Sequence, residues 1–390
     1  MQESQQGPPS PVRFPSDHLD VASSSACGRY LIAKEDLVAG QVVFEARPWL
    51  SVSRANCKER LCQYCLYVEG KALPFSCELC QHFWYCSPEC RTNDSRLHGT
   101  TPECAIWRSM NDTQALGQTP IPFKPKYLSL VRLLIRMICC RILEEQPTNI
   151  TDNALSPTQL QSDDNVGCYA DFAQLISNRE STQPKYLEWY SRIAQVVHEA
   201  FANAKSYLGL VPSVDELVTL LCIVQCNAFE ISGDEDESYG ISLYPWVALT
   251  NHSCQPNSVY VKDKTLLQRS LPSKDSYEND QVERHDTKAC LGDKGWKKLF
   301  MLRDVQRGEE VTISYIDLRH SSPERLAKLS RCWYFTCQCA SCNDISESEG
   351  YRYNLRFLCC QRNCLGFRVP WLTSSETVFF CSGCEWRSPC

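Results

Sequence analysis

The chain lacks the features that would place it in a membrane or on nucleic acid. No run of about 18 apolar residues free of charge occurs in its 390 residues, so no membrane-spanning helix is expected. The closest approach, Tyr127 to Leu143, is interrupted by Arg132, Arg136 and Arg141 at helical spacing, which suits a helix of a soluble domain. The opening segment, MQESQQGPPSPVRFPSDHLD, has no apolar core of the kind a secretory signal needs. Residues 1–26 are polar, rich in Pro and Ser, and read as a flexible tail. Cationic excess is missing too. With 46 acidic residues against 40 basic ones the net charge is −6, which makes nucleic acid an unlikely partner and suits a basic peptide. No internal repeat is found, so a repeat array is not expected.

What the chain has in excess is cysteine. Twenty-six cysteines imply a disulfide scaffold in a secreted protein or metal sites in a reducing compartment. Without a secretory leader, the cytoplasm and nucleus are the expected locations, and the sequon Asn149-Ile150-Thr151 reads as chance. The densest array is Cys62-x2-Cys65, Cys77-x2-Cys80, Cys86-x3-Cys90 and His98-x5-Cys104. A two-residue gap lets one turn offer two thiolates to one tetrahedral zinc, so four such pairs specify two ions. Cys57 reads as a bystander, and His82 as exposed rather than ligating. Cys337, Cys339 and Cys342 supply three ligands of a site that needs a fourth. The tail carries Cys364, Cys381 and Cys384, and either Cys360 or Cys359 completes a zinc-ribbon-like set, with Cys360 as the expected ligand.

The length exceeds that of a usual single domain, so two or more modules are expected. Strands are expected at Tyr30 to Ala33 and Gln41 to Glu45. Leu130, Leu133, Leu134, Met137 and Ile138 form a helical stripe, with further helices at Asp171 to Asn178 and Tyr186 to Leu208. Residues 217–257 hold an apolar helix and a polar loop, and Lys262 to Lys297 reads as an expanded hairpin loop. Strand character returns at Leu299 to Arg303 and Val311 to Ile316, where alternation turns Tyr315 inward.

Two motifs carry the chemistry. The run Asn251-His252-Ser253-Cys254-Gln255-Pro256-Asn257 is followed by Gly308-Glu309-Glu310-Val311-Thr312-Ile313-Ser314-Tyr315-Ile316-Asp317, then by Cys337-x-Cys339-x2-Cys342. Together with the upstream Cys/His array they resemble the SET and MYND domain (SMYD) family of protein-lysine methyltransferases. The resemblance implies an α+β fold, a β-rich SET pseudoknot split by a MYND zinc finger and a helical insert. The expected divisions are a tail at 1–26, the N-terminal SET part at 27–56, the finger at 57–106 and a linker with helical insert at 107–215. The SET core follows at 216–318 with an insertion at 261–297, then a post-SET segment at 319–345 and a ribbon-like module at 346–390. Many members carry a long helical-repeat domain where this ribbon-like segment stands.

The resemblance also implies roles. One finger zinc takes Cys62, Cys65, Cys86 and Cys90, and the other takes Cys77, Cys80, His98 and Cys104. Cys254 closes the post-SET site. With the tail site, about four zinc ions are expected. S-adenosylmethionine is the implied cofactor, held by Asn251, His252, Asn178, Phe335 and the Gly28-Arg29 segment. Tyr315 is the implied catalytic residue, and Trp333 lines the lysine channel where a tyrosine is usual. Tyr30 replaces a glycine of the family's first motif. Asn227 matches a family motif with either a packing or a binding role. The substrate would be a histone or non-histone protein lysine, the finger could take a proline-rich peptide, and a monomer is expected. The alternative is a weakly active or inactive adaptor that binds partners through the finger.

Overall fold

The computed structural model describes residues 14–25, 27–115, 125–145, 165–204, 210–232, 237–262, 295–343, 356–361, 364–372, 377–384 and 387–389. The chain opens with β1 (Leu19–Ser24) and β2 (Gly28–Ala33), an antiparallel pair whose register runs unbroken from Leu19↔Ala33 to Ser24↔Gly28. Within the described residues the expected tail therefore ends earlier than position 26. Leu19 alternates with polar neighbours and is fully buried, and Phe14 packs against Phe44 with ring centroids 4.7 Å apart. Tyr30 occupies a regular position opposite Ala22, with no local shift of the strand.

After β3 (Val42–Ala46) and β4 (Leu50–Ser53) comes the finger, with β5 (Phe75–Ser76), β6 (Trp84–Tyr85), α1 (Pro88–His98) and α2 (Glu103–Ala115). Ser87 caps α1 by accepting from the Cys90 amide, and Pro88 takes the first helical position, where its missing N–H costs nothing. The helical region comprises α3 (Pro125–Glu144), α4 (Tyr169–Ala173), a 3-10 turn at Arg179–Ser181, α5 (Pro184–Asn203) and α6 (Val214–Asn227). The helix expected at Asp171 to Asn178 stops at Ala173, and Asn178 adopts a left-handed φ of 48° that no helix continues through.

Helix α3 departs from the amphipathic stripe expected of it. Val131, Leu133, Leu134, Ile135, Met137 and Ile138 are all fully buried, so apolar residues on every face are covered. Arg132 and Arg136 are buried as well, and do not face solvent.

The second half supplies β7 (Ala228–Ser232), β8 (Ser238–Leu243), a 3-10 turn at Val247–Leu249, β9 (Asn251–His252), β10 (Ser258–Lys262), β11 (Lys297–Met301) and β12 (Thr312–Ile313). It ends with α7 (Ser322–Trp333), α8 (Ala340–Asn343), β13 (Arg368–Leu372), β14 (Thr377–Cys381) and β15 (Arg387–Pro389). The small sheets are β1-β2, β4-β8-β7, β10-β11-β3, β13-β14-β15, β5-β6 and the parallel pair β9-β12. The strand expected over Val311 to Ile316 is regular only at Thr312 and Ile313, with the Val311 amide donating to the Leu31 carbonyl at 2.9 Å. Most of the 262–297 insertion, residues 263–294, lies outside the described residues. Ser321 and Glu324 form a capping box that starts α7. One hydrophobic cluster joins the hairpin (Leu31), the finger (Tyr85, Trp107), the helices (Leu134, Leu217) and the strand before Tyr315 (Val311), so the finger is part of the core. Among the described residues no helix is long and apolar enough to cross a membrane.

Candidate active site and metal centres

The polar motif 251–257 and the strand 310–315 are joined by their own side chains. Parallel pairing sets Asn251 beside Thr312 and His252 beside Ile313, and the Ser253 amide donates to the Ile313 carbonyl at 2.9 Å. Asn257 acts as a splint. Its Nδ2 donates to the Glu310 carbonyl and its Oδ1 accepts from the Thr312 amide, both at 2.8 Å. Such paired bonds satisfy backbone groups that two short strands alone would leave exposed. Asn251 Nδ2 donates to Glu310 Oε1 at 2.8 Å.

The His252 ring links two centres. Nδ1 accepts from the Tyr315 amide at 3.0 Å, so in the neutral ring Nε2 carries the proton and donates to Cys254 Sγ at 3.3 Å. Burial lowers the imidazole pKa to about 4, which keeps the ring neutral near pH 7. The Tyr315 hydroxyl donates to the Thr250 carbonyl at 2.8 Å, and burial raises its pKa, so it remains a phenol. Around it stand Trp333 (centroids 5.5 Å apart), His252 (5.3 Å) and Phe335 (6.5 Å, edge to face). Trp333 and Phe335 thus stand in ring contact with Tyr315.

Asn178 Nδ2 donates to the Trp333 carbonyl at 2.9 Å, tying the helical insert to the end of α7. Asn227 spends its amide on the Ile176 and Ile223 carbonyls, at 3.0 and 2.8 Å. Gly28 has φ +69°, and a Cβ there would lie 2.7 Å from Ile176 Cδ1, so the position demands glycine. Arg29 Nη2 donates to the Asp171 carbonyl at 3.1 Å, while Nη1 is buried without a partner.

Among the described residues, four groups of ligand atoms converge, each with all members within 4.8 Å of one another. The first is Cys62, Cys65, Cys86 and Cys90, and the second is Cys77, Cys80, His98 and Cys104. The third joins Cys254 to Cys337, Cys339 and Cys342. The soft, tetradentate donor sets fit zinc. In the second group His98 Nε2 points at Cys80 Sγ (3.4 Å), and Nδ1 meets Glu103 Oε2 at 2.8 Å. A carboxylate behind a ligating imidazole fixes its tautomer and orientation. Arg136 Nη1 donates to the same Glu103 oxygen at 2.9 Å and Nη2 pairs with Asp94, which also accepts from the Tyr85 hydroxyl at 2.8 Å. Burial opposes ionisation of Glu103, yet Arg136 and His98 hold its carboxyl below its ordinary range. Arg132 lies 4.5 Å from the Phe83 ring centroid and donates to Ser53 Oγ.

The fourth group corrects the expected tail set. Cys359, not Cys360, converges with Cys364, Cys381 and Cys384, and Cys360 is exposed. The bridge Leu358↔Phe367 and the Cys359 amide bond to the Gly366 carbonyl set the turn, so Cys359 Sγ points inward and accepts from the Gln361 amide at 3.4 Å. His82 is likewise not exposed. It stacks on Trp107 (4.3 Å) and bonds Asn111 at 2.8 Å, and belongs to none of the four groups. Sequence reasoning missed Asp94, Glu103, Asn257, Glu310 and Arg136. Only Asn257 and Glu310 had a signal, since they lie inside the two motifs.

A family model described as the SET domain matches residues 28–316. The chain is 26% identical over 387 residues to histone-lysine N-methyltransferase ASHR1 of Arabidopsis thaliana, covering 95% of this chain and 65% of that protein. It is 28% identical over 367 residues to a SET and MYND domain-containing protein of Dictyostelium discoideum, covering 86% and 62%. Human N-lysine methyltransferase SMYD2 matches at 24% over 324 residues, covering 83% and 60%. The chain thus spans less than two thirds of the length of these relatives. A crystal structure of the SET domain of LSMT bound to lysine and AdoHcy covers 82% of this chain and 53% of that one at 12% identity, with a TM-score of 0.35, too low to carry weight. The SET-domain model matches most of the chain, and the chain belongs to the SET-domain family.

Proposed function

We propose that the chain is an S-adenosylmethionine-dependent protein-lysine N-methyltransferase. The observation that carries this reading is the Asn251–His252 strand, paired to the strand that delivers Tyr315 and tied through Cys254 to the post-SET cysteines. When bound, S-adenosylmethionine supplies a sulfonium methyl for in-line displacement. The chain's work is alignment, worth roughly 7–11 kcal/mol of barrier. Because the Tyr315 proton goes to Thr250, the phenol oxygen keeps lone pairs to meet a lysine amine. The Trp333 and Phe335 faces exclude water and favour positive charge at the reacting centre. The unpartnered Arg29 Nη1, next in the chain to Gly28, suits the carboxylate of an amino-acid-like ligand. Asn251, His252, Asn178 and Phe335 complete the cofactor surface in this reading.

Zinc at the two finger sites, the post-SET site and the tail is structural, about four ions in all. The modules follow the divisions given above, and the threading of 251–257 against 310–315 suits a SET pseudoknot. The substrate is a protein lysine, the chain acts as a monomer, and the cytoplasm and nucleus are its locations. The exposed Tyr64 and Leu79 of the finger (45% and 64%) favour a second role in binding a partner peptide, such as a proline-rich one. Labelled methyl transfer to a panel of histones and cell proteins tests the reading. Tyr315→Phe should lower kcat by about a hundredfold or more. A wild-type chain that binds cofactor yet transfers nothing leaves the adaptor role.

A further inference from the structure

The tail cluster is built in a way that reaches the active site. Its sulfurs approach closely, with Cys359–Cys384 at 3.7 Å and Cys364–Cys381 at 3.4 Å. Backbone amides two residues on donate to the sulfurs: Gln361 to Cys359 (3.4 Å), Gly366 to Cys364 (3.3 Å) and Gly383 to Cys381 (3.2 Å). Donors aimed at sulfur stabilise thiolates, the form that binds metal. The two turns press together so tightly that a Cβ on Gly366 would collide with Cys381 Sγ and the Gly383 amide.

The module docks against the segment that follows the catalytic tyrosine and against strand β11. Leu358 and Phe367 pack in one cluster with Tyr315, Ile316 and Leu318, and Phe380 meets Phe300 edge to face at 5.5 Å. Arg319 follows Leu318 in the same segment. Asp317 Oδ1 accepts from the Arg319 amide (3.0 Å) and from its Nη1 (3.3 Å), which aims the guanidinium. Nη2 then donates to the carbonyls of Cys359 (3.2 Å) and Cys364, both members of the cysteine cluster. Four thiolates around a divalent ion leave a net charge of about −2, which an adjacent guanidinium complements.

We propose that the C-terminal four-cysteine cluster holds a thiophilic divalent ion of the zinc class and that Arg319, a positioning residue, makes this site a latch on the segment carrying Tyr315. Its catalytic consequence rests on the methyltransferase reading above.

The test uses the full chain. In Arg319→Ala, hydrogen exchange at the amides of Tyr315 to Leu318 should rise about tenfold, with metal content unchanged. The same variant should lose about tenfold in kcat with little change in cofactor KM, and Arg319→Lys, which keeps the charge but not the fork, should restore part of both. Cys381→Ser should lose about one ion per chain by mass spectrometry and loosen the same amides, leaving the β1-β2 hairpin protected. Unchanged exchange in Arg319→Ala would overturn the latch, and full metal content in Cys381→Ser would overturn the ion. A wild type without transfer, but with the exchange changes intact, would remove the methyltransferase reading and leave the latch standing.

Discussion

The finger and the C-terminal module present the same kind of donor set and are anchored in opposite ways. In the finger, the ligand His98 is backed by Glu103, which meets Arg136, which meets Asp94, and all four side chains are at most 5% exposed. The second finger site is therefore wired by buried charge into helix α3 of the helical insert. The tail cluster is held differently. Its sulfurs are steadied by backbone amides, and its carbonyls by the half-exposed Arg319. The contrast is between a donor set backed by buried charge and one steadied by backbone amides and carbonyls. Where charges are buried, removing one strands the others. Where amides and carbonyls do the holding, the site can loosen locally.

Four measurements can break or sharpen that contrast. The largest effect is expected for Arg136→Met, which leaves Asp94 buried without its cation and takes from Glu103 the guanidinium it bonds. It should cost about 3–5 kcal/mol in denaturant unfolding, and a loss near zero would show that the buried network does not anchor the finger. Next, Cys80→Ser and Cys381→Ser should differ. Loss of the finger ion should lower the global melting temperature by several degrees more than loss of the tail ion. Equal shifts would erase the distinction. Smaller again is Asn257→Ala, which frees one carbonyl and one amide and should cost about 1–3 kcal/mol. It should also weaken binding of S-adenosylmethionine, measured by calorimetry, because the 251–252 strand loses its splint. The smallest is Cys360→Ser, whose exposed thiol lies outside the cluster. Metal content and stability should remain at wild-type values, and a missing ion would restore Cys360 as the ligand.

Legibility followed chain locality. Cys62-x2-Cys65, Cys77-x2-Cys80 and Cys86-x3-Cys90 each lie within one or two turns of chain, so spacing alone suffices to nominate them as ligand pairs. The choice between Cys359 and Cys360 was not legible, because it turns on the Leu358↔Phe367 bridge, a contact between residues 9 apart that decides which thiol faces in. The arginines of α3 misled for a related reason. Arg132 and Arg136 break an apolar run and so suggest a solvent-facing side, and nothing local to them reveals the acids of the finger, 33 and 42 positions away. The resemblance to a known family supplied the pairing order of the finger and the expected role of Tyr315, which periodicity could not have supplied.

The sequence by itself determined the donor chemistry, the two motifs and the family. Ligand type, turn residues and strand alternation are properties of short stretches of chain. The tertiary structure alone decided which thiol enters the fourth cluster and which carboxylate backs His98. It alone placed Asn251, Asn257 and Glu310 in one hydrogen-bonded splint, and set the guanidinium of Arg319 against the carboxyl-terminal cysteines. Those depend on atoms brought within about 3 Å across tens of residues, and distances of that kind are settled only when the core closes.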